Sequence, residues 1–137
     1  MKFLERGMKM LIVSSYPPRE CGLATFSIDI VNAVARMFGN TLPIEICALQ
    51  NGENQHKYSS EVTHILSTSL LQEYRIVAEK INERDDIGLV CIQHEFGLFG
   101  GEYGNYLIPF LETVKKPVVI TFHSVLPNPD EVRKRVV

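Results

Sequence analysis

Two histidines stand beside polar partners in segments that end apolar runs: His94-Glu95, followed by Phe96-Gly97, and His123-Ser124. An imidazole exchanges a proton or a hydrogen bond near neutral pH, and a carboxylate beside it adds acid–base or hydroxyl-binding capacity. Neighbouring residues of an extended segment point to opposite sides, so at most one of His94 and Glu95 is expected to face a site. A metal centre built from His94, Glu95 and His123 is disfavoured, because none of these residues has helical ligand spacing.

A third candidate lies in the connection Ser14-Ser15-Tyr16-Pro17-Pro18-Arg19-Glu20-Cys21-Gly22-Leu23-Ala24-Thr25, between an apolar run and a helical pattern. Free backbone N–H groups and the helix dipole favour an anion at such a place. Gly22 either lets the backbone approach a ligand or is a turn residue that needs positive φ. The connection matches neither G-x-G-x-x-G nor G-x-x-x-x-G-K-[ST], and Gln50-Asn51 stand where a ribose-binding acid would close the second strand, so a dinucleotide or ATP site is disfavoured. The segment from His94 to Gly104 holds Gly97, Gly100, Gly101 and Gly104. So many glycines cost backbone entropy, and a loop shaped around a ligand explains them better than a purely structural one. Phe96, Phe99 and Tyr103 offer flat faces to a sugar or ring, or staple the loop to the core.

The elements that position these loops follow from hydrophobic period. Met8–Ser15 reads as a strand buried on both faces and stopped by prolines. Thr25 is expected to cap a helix whose apolar residues are Phe26, Ile30, Ala33, Val34 and Met37, ending at Gly39-Asn40. Strands follow over 43–49 and 61–66, separated by a polar loop over 50–60. Ser69 is expected to cap a helix with the stripe Leu70, Leu71, Tyr74, Val77, Ala78 and Ile81. Ile87–Gln93 and 117–122 read as further buried strands, with a helix over 105–115 between them, and Asn128 or Asp130 starts a last helix. Strands alternating with helices predict an α/β fold: a Rossmann-like three-layer domain with a mostly parallel sheet, whose ligands bind beyond the carboxyl ends of the strands.

The 137 residues make one domain, expected over 8–137 behind an extension at 1–7. A net charge of −2 gives no basic field to attract nucleic acid, and no basic amphipathic helix supports membrane association. Cys21, Cys47 and Cys91 form no C-x-x-C pair, and the charged N-terminus lacks a signal's apolar stretch; a reducing, cytoplasmic location is expected.

Together, Ile12-Val13-Ser14-Ser15-Tyr16-Pro17-Pro18 with Cys21-Gly22-Leu23-Ala24-Thr25-Phe26, Leu89-Val90-Cys91-Ile92-Gln93-His94-Glu95-Phe96-Gly97, and Pro117-Val118-Val119-Ile120-Thr121-Phe122-His123-Ser124 resemble the N-terminal half of family 4 (group 1) retaining glycosyltransferases. The resemblance implies a GT-B fold, a nucleotide-sugar donor, an acceptor hydroxyl and no metal or other cofactor. It places Gly22 near the donor diphosphate, and His94, Glu95, Phe96, Gly97 and Ser124 along the cleft where donor and acceptor meet. His123 becomes the catalytic candidate, through its imidazole or neighbouring carbonyl. The resemblance also implies a C-terminal nucleotide-sugar domain that this sequence does not contain, so the chain is expected to be an acceptor-side fragment, inactive alone. The alternative from a different class is a non-catalytic Rossmann-like or flavodoxin-like module that binds a small anionic ligand.

Overall fold

The computed structural model describes residues 7–52 and 56–137. Most of the expected N-terminal extension, and 53–55 of the expected polar loop, lie outside the described residues. Five strands, β1 (Lys9–Ser14), β2 (Ile44–Gln50), β3 (Val62–Ser67), β4 (Ile87–His94) and β5 (Val118–Phe122), form one sheet in the order β3-β2-β1-β4-β5, every neighbouring pair parallel. Among the described residues four α-helices complete the alternation: α1 (Gly22–Phe38), α2 (Leu71–Asn82), α3 (Leu107–Thr113) and α4 (Glu131–Val136). This is the expected Rossmann-like α/β architecture. The strand order reverses between β1 and β4, so a crevice is expected outside their carboxyl ends.

Alternate side chains of each central strand enter different cores. Leu11, Val13, Cys47, Leu49, Val90 and Ile92 pack with α2 and α3, whereas Ile12, Ile46 and Ala48 pack with Ile28 and Val31 of α1. That two-sided burial explains why β1, β2 and β4 read as continuous apolar runs. The buried Cys47 thiol is pushed up to about 12 by desolvation alone, as suits an inert core residue.

Several expectations need correction. α1 starts three residues before Thr25, because Cys21 is the cap: its Sγ accepts from the Ala24 N–H at 3.4 Å, while the Thr25 hydroxyl donates back to the Cys21 carbonyl. The earlier start goes with a different buried face. Ala24 and Ser27 are buried, whereas Phe26 is 40% exposed and Met37 77% exposed. Ile30 of the expected stripe does pack against the core beside Ile28 and Val31, so the buried face is rotated rather than exchanged. Ser69 does not cap α2 either; Leu70 takes that position without a side-chain hydrogen bond, and Leu70 and Leu71 remain exposed outside the buried stripe Tyr74, Val77, Ala78 and Ile81. β5 was expected to be buried, but as the edge strand it leaves Val119 52% exposed. The last helix is capped by Asp130, which accepts from the Arg133 N–H at 2.8 Å. No helix among the described residues is long and apolar enough to cross a membrane.

An ion cluster occupies the amino ends of the central strands. Glu45 accepts from Lys9 at 2.8 Å and Arg84 at 3.0 Å, and Arg84 also pairs with Asp86 at 2.7 Å. Burial would raise the Glu45 carboxyl, but hydrogen bonds from Arg84, Lys9 and Thr63 outweigh it and bring it down to about 2.

Candidate functional site

The parallel registers bring the three loops to one rim. Val13 of β1 pairs with Ile92 of β4, and Gln93 and His94 pair with Thr121 and Phe122 of β5, so all three strands end on the same side. Phe26, one turn into α1 from Gly22, packs its ring edge-on to His123 with centroids 4.8 Å apart. Gly22, His94 and His123 therefore share the carboxyl rim. Gly22 does not have positive φ; it is the first residue of α1, and a Cβ there would meet nothing within 4 Å. The cradle beside it is built from side chains. Buried Ser14 accepts from the Ser27 hydroxyl at 2.8 Å, and Ser15 lies 3.0 Å from Cys21 Sγ. Desolvation pushes the Cys21 thiol up, but hydrogen bonds from Ser15 and Ala24, with the Arg19 charge, leave it below its ordinary value.

His94 and Glu95 separate as the strand period requires. His94 is 1% exposed, and neither ring nitrogen has a partner among the described residues. Its ring stacks on Phe99 at 5.9 Å and lies 5.2 Å from Phe96 and 5.1 Å from Phe122. Desolvation holds this imidazole below its ordinary value; His123 acts in the same direction and Glu95 against it. His94 thus belongs to an aromatic cage behind the site, which corrects the expectation of a cleft-facing residue. Glu95 turns the other way and lines an open groove of ≈ 590 Å³ with Phe96, Gly97, Phe99, Tyr103, Ser124 and Arg133. The Arg133 guanidinium lies 4.1 Å above the Tyr103 ring and pairs with Asp130 at 2.6 Å.

Three ties lace the loops after β4 and β5 together. His123 Nε2 meets Gln93 Oε1 at 2.7 Å, the His123 backbone N–H donates to the His94 carbonyl at 2.9 Å, and the Ser124 hydroxyl donates to Glu95 Oε2 at 2.7 Å. Gln93 was not anticipated, although a polar residue closing an apolar strand was the available signal. Arg133 was hidden in a charged run near the end of the sequence.

The glycines of the β4 loop have mainly a packing role, contrary to the reading that a ligand shapes the loop. A Cβ on Gly100 would come within 2.1 Å of the Thr68 carbonyl oxygen, and one on Gly101, at φ 80°, within 2.0 Å of Asn105 Oδ1. The Gly100 N–H donates to the Tyr74 hydroxyl at 2.9 Å, which donates to the Thr68 carbonyl at 2.8 Å. Only Gly97, with open space beside it, lines the groove without such a constraint. Among the described residues no three His, Cys, Asp or Glu side chains converge in a way that could hold a metal ion.

The rim, the groove and the laced loops define the class: a Rossmann-like α/β domain with a candidate small-molecule site at the carboxyl ends of parallel strands. No family model, curated protein or solved structure matches the chain.

Proposed function

We propose that the chain is the acceptor-side domain of a retaining glycosyltransferase, transferring a sugar from a nucleotide-sugar donor to an acceptor hydroxyl. The observation that carries the reading is the groove at the carboxyl rim, which the Glu95 carboxylate, the Ser124 hydroxyl and the Arg133 guanidinium line together with Phe96, Phe99 and Tyr103. Charged acceptors and donors match the hydroxyls of a polyol, while aromatic faces match its C–H surface. The resemblance of the three loop segments supplies the reaction type. In that scheme the donor nucleotide belongs to a second domain facing this rim, and His123 and Gly22 stand on the side that meets it.

Mechanistically, the groove's share is to hold and orient the acceptor hydroxyl. Binding two substrates in attack geometry is worth much of a transfer reaction's barrier, and it needs both halves. Purified alone, the 137-residue chain is therefore expected to bind glycosides through the groove and to turn over no sugar nucleotide. Titration with simple glycosides, followed by backbone NMR, should move resonances of Glu95, Phe96, Tyr103 and Ser124. Turnover by this chain alone would overturn the two-domain reading, and glycoside shifts confined to residues away from the groove would overturn the site.

A further inference from the structure

Gln93 is 3% exposed on β4, with its side-chain Oε1 2.7 Å from His123 Nε2. An amide oxygen only accepts, so the ring nitrogen that meets it must carry hydrogen. A neutral imidazole has one N–H; spent on Gln93, it leaves Nδ1 as a bare lone pair. The rest of the ring's surroundings hold it in this pose. Phe26 abuts it at an interplanar angle of 83°, and the His123 backbone N–H is tied to the His94 carbonyl. His123 is exposed, and Nδ1 makes no hydrogen bond among the described residues.

We infer that Gln93 is a positioning residue that keeps neutral His123 in its Nε2–H form, so that the site offers its ligand a hydrogen-bond acceptor, Nδ1. The consequence is a chemical filter. Nδ1 receives a hydrogen bond from a hydroxyl or amine, but a neutral ring locked this way has nothing to donate to a phosphate or carbonyl oxygen. His123 then addresses a hydroxyl of the sugar or acceptor, and the diphosphate must be met by other groups. The identity of that hydroxyl rests on the glycosyltransferase reading; the tautomer does not.

Long-range ¹H–¹⁵N correlation spectra of the ¹⁵N-labelled chain, at a pH where its histidines are neutral, read the tautomer directly. The expected pattern for His123 is a protonated Nε2 and an unprotonated Nδ1. Gln93→Glu, which still presents an accepting oxygen, should keep that pattern; Gln93→Met should give a mixture of tautomers. A wild-type Nδ1–H pattern overturns the inference. So does an unmixed Nε2–H pattern in Gln93→Met, or an Nδ1–H pattern in Gln93→Glu, which serves alone if the Met variant does not fold. Methyl α-D-glucopyranoside and inorganic pyrophosphate then probe the filter. The glycoside should move the Nδ1 resonance and pyrophosphate should leave it in place; the reverse overturns the filter. An Nε2–H pattern with no response to either probe upholds the role of Gln93 and counts against the glycosyltransferase reading instead.

Discussion

The Ser124 hydroxyl donates to Glu95 Oε2 across 2.7 Å, tying the β5 loop to a carboxylate that lines the groove. Because Glu95 borders an open groove, water can replace the lost donor, so Ser124→Ala should cost about 1 kcal/mol or less in stability. The carboxylate would lose the contact that orients it, and glycoside affinity should fall roughly tenfold. Urea unfolding and ligand titration on one preparation separate the two effects; a large stability loss with unchanged affinity would make the tie purely structural.

Gly100 and Gly97 should answer alanine substitution in opposite ways. The Gly100 Cβ would overlap the Thr68 carbonyl and also come 2.7 Å from Tyr106 Cδ2, whereas the Gly97 Cβ would meet nothing within 4 Å. Gly100→Ala is expected to destabilise by about 1–3 kcal/mol or more, as overpacking does. Gly97→Ala should stay within about 0.5 kcal/mol. Equal melting temperatures for the two variants would contradict the packing account of this loop.

On the proposed glycosyltransferase reading, His123→Ala in a chain that also carries the donor domain should lower turnover by about 10²–10³, the range found for a preorganised polar group in a transition state. The ring is exposed and leaves no large cavity, but its removal strips buried Gln93 of its partner, which should cost about 1 kcal/mol. Kinetics expressed per folded molecule decide the matter. Near-wild-type turnover per folded molecule with a large drop in melting temperature would remove His123 from the site.

Burial holds His94 below its ordinary value of 6.5, so as the pH falls the unfolded chain takes up that proton first. Stability owed to neutral His94 is complete above about pH 6.5 and is lost progressively below it until the folded ring itself titrates. His64, also held below 6.5 by burial, adds a change of the same sign. Glu45, lowered to about 2, contributes stability that is complete above its ordinary 4.5 and lost as the pH falls from there. His94→Phe, which suits the aromatic cage, should flatten the stability profile just below about pH 6.5 while leaving the loss below about pH 4.5 in place. Chemical denaturation from pH 4 to 8 tests this, and an unchanged upper limb would show that His94 is not the titrating group.

The strands and their order of alternation with helices were legible because β1, β2 and β4 are buried on both faces, a condition that writes itself into continuous apolar runs. Helix faces were less so. α1 packs Ile28, Ile30 and Val31 against the core beside buried Ala24 and Ser27, while Phe26, Ala33 and Met37 of the expected stripe stay exposed, and no local rule separates the two sets. The site was legible as three loops on one rim, since parallel strands end together. What the linear pattern could not express is lateral contact: the Gln93–His123 bond joins residues 30 positions apart, and the cage around His94 draws Phe99 from the β4 loop and Phe122 from the end of β5.

The ion cluster of Lys9, Glu45, Arg84 and Asp86 sits at the amino ends of the strands, while the groove occupies their carboxyl ends. The ion cluster and the open groove thus stand at opposite ends of the sheet, with apolar core between them. Substitutions more than about 7–10 Å apart that share no partners add independently. Substitutions that line the groove should accordingly shift stability by amounts that add to, rather than alter, the contribution of the ion cluster.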